Sequence, residues 1–92
     1  MPQALTFEAR LARARFRAWH RGTREADFLI GGFFDRYHGE WEEPEITWFE
    51  ALLEEQDADV LAWATKAALP PHFLAGPLMD ALCRADFVDS AR

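Results

Sequence analysis

The residues best suited to a chemical task stand close together between positions 17 and 28. Arginine and carboxylate side chains occur on both sides of Gly22, and aromatic rings flank them. Arginine and tryptophan are enriched at the energetic centres of protein interfaces, and a glycine lets another molecule approach the backbone closely. The pattern predicts a rigid protein-docking surface made of Arg17, Trp19, His20, Arg21, Gly22, Arg24, Glu25, Asp27 and Phe28. The alternative interpretation is a plain helix–turn–helix junction whose solvated charge pairs contribute under about 1 kcal/mol.

Catalytic chemistry is poorly represented in the sequence. The three histidines are scattered singly and Cys83 is the only cysteine, so no spacing typical of a metal site occurs. Ser90 is the only serine and lies close to the C-terminus, which makes a serine nucleophile implausible. Gly31 and Gly32 fall inside a helical pattern rather than in a phosphate-binding loop after a strand. We therefore predict a protein that is not an enzyme, with no catalytic residue, no metal site and no stably bound cofactor.

The size and composition predict one folded domain. The chain has 92 residues, of which 50% are hydrophobic. Its 8 Phe and 4 Trp provide a large apolar surface that folding can bury. We assign residues 1–92 to a single domain, with a core over about residues 6–87 and a flexible tail at 88–92. A lone cysteine requires no oxidising compartment. No run without polar residues is longer than the seven residues of 28–34, which is far shorter than the ~20 residues that span a bilayer.

The net charge of −6 conceals an uneven distribution along the chain. Residues 1–24 carry six arginines and one acid, a formal charge of +5. Residues 25–92 carry four basic residues and fifteen acids, a formal charge of −11. The protein therefore has a basic N-terminal part and an acidic remainder, and the candidate docking surface lies where the two meet.

The hydrophobic periodicity predicts an all-α fold that begins with two capped helices. Residues 7–20 form a helix that Thr6 caps, with arginines at positions 10, 13, 17 and 21 on one face. Gly22 ends this helix, and Thr23 caps the next. The second helix buries a stripe with the i, i+3, i+4 spacing and leaves Phe28 off the stripe, exposed. Gly31 and Gly32 lie within this helix, and each should destabilise it by about 1 kcal/mol relative to alanine. Close packing against another helix is the expected reason for their presence. The stripe comprises Ala26, Leu29, Ile30, Phe33, Phe34 and Tyr37.

Three further helices complete a compact bundle of about five short helices. Thr47 to Glu50 matches a capping box, which predicts a third helix from there to about Gln56. A fourth helix runs from Asp57 through residue 66 and ends before the prolines at 70 and 71. A fifth begins near Pro77 and places residues 78, 82 and 87 in the core.

Several segments resemble the SdhE/Sdh5 family of succinate dehydrogenase flavinylation assembly factors. Residues 21–25 match the family's RGxxE motif, and the Arg-rich first helix ending at Trp19-His20 resembles the family as well. So do residues 27–31 with Phe34, residues 49–54, and residues 57–60 with Trp63, so that the resemblance covers about residues 10–66. The sequence departs from the family after the fourth helix, where Leu69-Pro70-Pro71 stands and the family has a glycine.

The resemblance implies a function. Members of this family are non-enzymatic: they bind the flavoprotein subunit of succinate dehydrogenase, and in bacteria that of fumarate reductase, and promote covalent FAD attachment to a histidine of that subunit. Carried over by motif, Arg21, Gly22 and Glu25 would lie against the partner near the flavin-linkage site. Because flavinylation is largely self-catalysed, a partner that prefers the reactive conformation of the subunit would suffice.

Two alternatives from other classes follow from the basic first helix. A small nucleic-acid-binding module could use the arginine face with Trp19 and Phe16, although the −11 remainder would repel phosphates. Residues 7–21 could instead lie on a membrane surface, although the aromatic residues call for a packed core. We expect a monomer without membrane insertion; a dimer through the surplus aromatic surface of the first helix is the alternative. No removable leader is recognisable, so we expect the bacterial cytoplasm, whereas a mitochondrial matrix protein would normally carry one.

Overall fold

The computed structural model describes residues 5–84, which form five α-helices joined by short turns. These residues contain no strand, so the predicted all-α bundle is confirmed. The same range holds no helix that is both long enough and apolar enough to cross a membrane. Predicted core residue Phe87 and the predicted tail 88–92 lie outside the described range. The helices are α1 (Phe7–Trp19), α2 (Arg24–Tyr37), α3 (Glu43–Leu53), α4 (Asp57–Ala64) and α5 (Pro77–Arg84), with 3-10 turns at His38–Glu40 and His72–Leu74.

The first two helices begin where the sequence predicts. The hydroxyl oxygen of Thr6 accepts a hydrogen bond from the N–H of Ala9 at 3.0 Å, and that of Thr23 accepts one from the N–H of Ala26 at 3.2 Å. Each threonine thereby satisfies one backbone donor that the first turn of a helix leaves unpaired. The turn between the two helices is consequently short, spanning residues 20–23.

The core consists mainly of the α2 stripe and the apolar face of α3. Phe33 and Phe34 are fully buried and lie against Phe49, with ring centroids 6.1 and 5.5 Å apart. Trp41 covers this cluster from the connection between the two helices, 5.1 Å from the Phe49 ring. Such spacings are typical of favourable aromatic packing. The cluster fixes α2 against α3, and α1 then lies across both through its small buried residues Ala14 and Ala18.

The predicted start of α3 was wrong. The helix begins at Glu43, four residues earlier, with Pro44 in its first turn. The carboxylate of Glu45 accepts a hydrogen bond from the N–H of Glu42 at 2.8 Å, so these residues form the cap. Thr47 and Glu50 match the capping-box pattern but bind an arginine of α1 instead. The helix also ends at Leu53 rather than near residue 56.

The fourth helix ends at Ala64, two residues earlier than predicted, because Lys66 adopts a left-handed backbone with φ of 66°. The N–H of Ala67 donates to the carbonyl of Ala62 at 2.8 Å, and the N–H of Lys66 donates to that of Trp63 at 3.1 Å. This pair of bonds is the Schellman motif, which usually has glycine at the left-handed position. Lys66 therefore occupies the left-handed position at which helix C-termini usually have glycine, upstream of the prolines.

Candidate protein-docking site

The exposed tip of the candidate site is the turn between α1 and α2. Gly22 has φ of 118°, a conformation that side-chain-bearing residues rarely adopt. A Cβ at this position would find no atom within 4 Å, so the backbone faces open space. Thr23, Arg24 and Glu25 are exposed beside it. The turn thus presents bare backbone next to one positive and one negative side chain.

Arg21 points inward from this turn to the junction of α3 and α4. Its Nε donates to Oδ1 of Asp57 at 2.8 Å, and its two Nη groups donate to the carbonyls of Leu53 and Glu55 at 2.8 and 2.7 Å. Only 11% of its side chain is exposed. The two carbonyls lie at the C-terminal end of α3, whose dipole favours a cation, and Asp57 lies in the first turn of α4, whose dipole favours an anion. Arg21 therefore joins three parts of the fold at one point.

Asp27 holds the same turn from the other side. Its Oδ1 accepts a hydrogen bond from the backbone N–H of Arg21 at 2.6 Å. The N–H of Asp27 itself donates to the carbonyl of Thr23 at 2.9 Å. The backbone on both sides of Gly22 is consequently hydrogen-bonded to α2.

The arginine face of α1 lies against acidic side chains of α3. Arg10 binds Glu50 with two parallel hydrogen bonds of 2.7 and 3.0 Å, and it also binds Thr47 and Glu43. Arg17 donates to Glu54 at 2.7 Å. The hydrogen bonds from Arg10, together with its positive charge, lower the pKa of the Glu50 carboxyl.

These pairs bear on the nucleic-acid alternative. Three of the four arginines on the predicted face, at positions 10, 17 and 21, are paired with acids of α3 and α4. These ion pairs offset much of their charge, so the basic N-terminal part does not form the continuous cationic stripe that phosphate binding requires.

A pair of aromatic side chains, Trp19 and Phe28, forms a ledge beside the turn. The indole of Trp19 lies flat on Gly31 of α2, where an added Cβ would come within 2.3 Å of Cδ2. The Phe28 ring, 41% exposed, meets the Trp19 ring edge-on at 6.1 Å. Close helix packing, the expected reason for a glycine within α2, is thereby confirmed at Gly31.

His20 and Phe16 extend this ledge along α1. Nδ1 of His20 lies 2.7 Å from the carbonyl oxygen of Phe16, and the two rings stack with centroids 4.0 Å apart. Phe16 is 63% exposed. The candidate set omitted Phe16, although its place on a second aromatic face of the first helix was a usable signal.

All nine candidate residues lie on or directly behind one surface, but they differ in exposure. His20, Gly22, Arg24, Glu25 and Phe28 are exposed, whereas Arg17, Trp19, Arg21 and Asp27 are half-buried. Open grooves indent the surface, and two of them include Arg21 or Gly22 of the turn. One, of about 480 Å³, runs from Trp19 past Gly22 to Phe28. The other, of about 430 Å³, lies between α1 and the α3–α4 junction and includes Gln56, a residue that no sequence pattern indicated.

Comparison with known proteins identifies relatives of this fold. A family model described as flavinator of succinate dehydrogenase matches residues 12–86. The chain is 38% identical over 71 residues to the FAD assembly factor SdhE of Acetobacter pasteurianus, covering 77% of this chain and 65% of that protein. It is 38% identical over 61 residues to the mitochondrial succinate dehydrogenase assembly factor 2 of Scheffersomyces stipitis, covering 66% of this chain and 41% of that protein.

The matched region of the family model contains the whole candidate docking surface. It runs from the middle of α1 to the last described helix, and it exceeds the resembling segment of residues 10–66 at the C-terminal side. The chain spans less than two thirds of the length of either relative. On the extent of this match, the chain belongs to the flavinator of succinate dehydrogenase family.

Proposed function

We propose that this protein is an assembly factor that binds the flavoprotein subunit of succinate dehydrogenase and promotes covalent attachment of FAD to it. This proposal rests mainly on the family match over residues 12–86, which includes the turn at Gly22. The names of the two relatives, an FAD assembly factor and a succinate dehydrogenase assembly factor, support the same role. We also propose the flavoprotein subunit of fumarate reductase as a second partner of this protein. We propose the bacterial cytoplasm as the compartment in which it binds these subunits.

The geometry supports binding by the exposed part of the turn. The bare backbone at Gly22 lets a partner approach closely, and Glu25 offers a carboxylate two residues into α2. Arg24 offers an exposed guanidinium beside it, and Phe28 and Trp19 supply apolar area in the adjoining groove. This combination of a few fixed polar groups around an aromatic centre is typical of interface hot spots.

The proposed mechanism requires no chemistry from this chain. Covalent flavinylation takes place within the partner subunit, which supplies the histidine and holds the FAD. A protein that binds the reactive conformation of the subunit more tightly than other conformations raises its population, and each 1.4 kcal/mol of preference changes that ratio about tenfold. A rigid surface suits this task because it loses little conformational freedom on binding.

The test is co-expression of the cognate flavoprotein subunit with and without this protein, followed by flavin fluorescence of the denatured subunit on a gel. Covalent flavin should rise with the wild-type chain. It should fall toward the level without the chain for Glu25→Ala, which removes the exposed carboxylate, and for Gly22→Arg, which fills the open approach and strains the turn.

A matched control is Glu40→Ala, which removes an equally exposed carboxylate from the 3-10 turn after α2, outside both grooves. This variant should support flavinylation as well as the wild type does. Covalent flavin that is the same with and without the wild-type chain would refute the proposed function. An equal loss for Glu40→Ala and Glu25→Ala would refute the assignment of the surface.

A further inference from the structure

The Arg21–Asp57 ion pair links the docking turn to the junction of α3 and α4. Residues 20–23 form the exposed turn, and Asp57 begins α4, 36 positions further along the chain. In the described part of the chain, no other hydrogen bond joins residues 20–25 to α3 or α4. The hydrogen bonding between the turn and this junction therefore rests on this one guanidinium and its three acceptors.

We propose that Asp57 is a positioning residue, which holds the docking turn in its binding-competent conformation through Arg21. The Arg21 side chain is 11% exposed and the Asp57 side chain 26% exposed, so both are largely covered by the protein itself. Three of the five N–H donors of the Arg21 guanidinium are used by internal acceptors. The RGxxE arginine thus acts inside the fold, and Gly22 and Glu25 remain as the exposed part of that motif.

Electrostatics explains why the acid belongs at position 57. A guanidinium at the end of α3 satisfies two carbonyls, those of Leu53 and Glu55, but these acceptors carry only partial charge. The Asp57 carboxylate supplies the full compensating charge at 2.8 Å, and the N-terminal dipole of α4 stabilises its ionised form. Without Asp57, a largely covered cation would lose its counter-charge, and solvation would favour an outward rotation of Arg21. That rotation would release the turn.

The first part of the test needs no partner, because it measures amide hydrogen exchange by NMR. Asp57→Ala should speed exchange of the Arg21, Ala26 and Asp27 amides by about tenfold or more, since these amides are bonded within the turn and the start of α2. Asp57→Glu keeps the carboxylate and should restore most of the protection. Glu50→Ala is the matched control, because it removes a strong ion pair between α1 and α3 and leaves the turn itself unchanged.

The second part measures affinity for the flavoprotein subunit, and it rests on the proposed function. At a temperature where every variant is folded, Asp57→Ala should weaken binding by about tenfold. Asp57→Glu and Glu50→Ala should bind within about twofold of the wild type, even where Glu50→Ala lowers the melting temperature as much as Asp57→Ala.

The two measurements separate the possible failures. Exchange at the turn that is unchanged by Asp57→Ala, or equally increased by Glu50→Ala, overturns the positioning role whatever the partner does. Faster exchange with unchanged affinity also overturns it, because the turn would then be free to move without consequence. A wild-type chain that fails to bind the subunit overturns the proposed function and the positioning role together, whereas the exchange data would still report on the ion pair.

Discussion

The contact between Trp19 and Gly31 gives the most quantitative prediction about how the docking surface is built. A Cβ on Gly31 would lie 2.3, 2.5 and 2.8 Å from three atoms of the Trp19 indole. Such distances are well inside van der Waals contact, and the indole is a rigid ring rather than the flexible end of a side chain. Gly31→Ala must therefore displace the ring or separate α1 from α2.

The expected change in the free energy of unfolding for Gly31→Ala is the difference between two opposing contributions. Overpacking of this kind costs about 1–3 kcal/mol, and three close contacts place Gly31→Ala in the upper half of that range. Replacement of glycine by alanine within a helix returns about 1 kcal/mol. The expected net loss in the free energy of unfolding is about 1–2 kcal/mol, equivalent to a fall in melting temperature of roughly 5–15 °C for a domain of this size.

A double-mutant cycle measured by chemical denaturation isolates the contact. In the Trp19→Ala background the clash is absent, so Gly31→Ala should stabilise the protein by up to about 1 kcal/mol through helix propensity alone. The coupling between the two positions should then be about 2–3 kcal/mol. Gly39→Ala is the control, because a Cβ there meets no atom within 4 Å, and its effect should stay within about 0.5 kcal/mol.

Two results would refute this reasoning. A stabilising effect of Gly31→Ala in the wild-type background would mean that the indole does not lie against the glycine. An equal destabilisation in the presence and absence of the Trp19 ring would assign the cost to another neighbour.

Three further predictions concern stability and reactivity. Lys66→Gly should raise the free energy of unfolding by about 1 kcal/mol, because the left-handed backbone suits glycine, and an unchanged melting temperature would contradict this. The pKa of Glu50 is lowered by Arg10, so their pair stabilises the fold above the ordinary carboxyl pKa of about 4.5 and loses that contribution as pH falls through the lower folded-state value. The stability difference between wild type and Glu50→Gln in urea should therefore shrink from pH 7 to pH 3, and a constant difference would exclude the pair. Burial raises the pKa of the Cys83 thiol, so iodoacetamide should alkylate it more slowly in the folded than in the urea-unfolded chain, with equal rates as the opposing result.

The local signals in the sequence predicted much of the fold. Thr6 and Thr23 cap the first two helices as expected, since a threonine cap needs only backbone donors two or three residues away. Pro77 begins the last described helix for a similarly local reason. The stripe on α2 is buried, apart from the half-buried Tyr37 at its end, because its spacing alone defines one helix face.

Long-range contacts account for the errors. The pattern from Thr47 to Glu50 satisfies the capping-box rule, but Arg10, 37 and 40 positions away, binds both side chains. No local rule contains that information. The end of α4 was misplaced because Lys66 takes a conformation for which sequence rules expect glycine.

The clustering of the candidate residues around Gly22 was predictable from the sequence, but the contacts that each of them makes within the fold were not. The residues around Gly22 do converge on one surface, because a short turn and two helix ends bring them together. The charges of Arg21 and Asp27 gave no sign that both would be used internally. That outcome depends on the α3–α4 junction lying beneath the turn, which is a property of the packed bundle rather than of either segment.

The most direct test of the central claim is flavinylation reconstituted from purified components. The apo flavoprotein subunit and FAD are mixed with or without this protein, and the fraction of subunit carrying covalent flavin is followed by intact mass. We expect the wild-type chain to increase the rate without itself gaining the mass of a flavin, and we expect Glu25→Ala to abolish the increase. An identical rate with and without the wild-type chain would contradict the account.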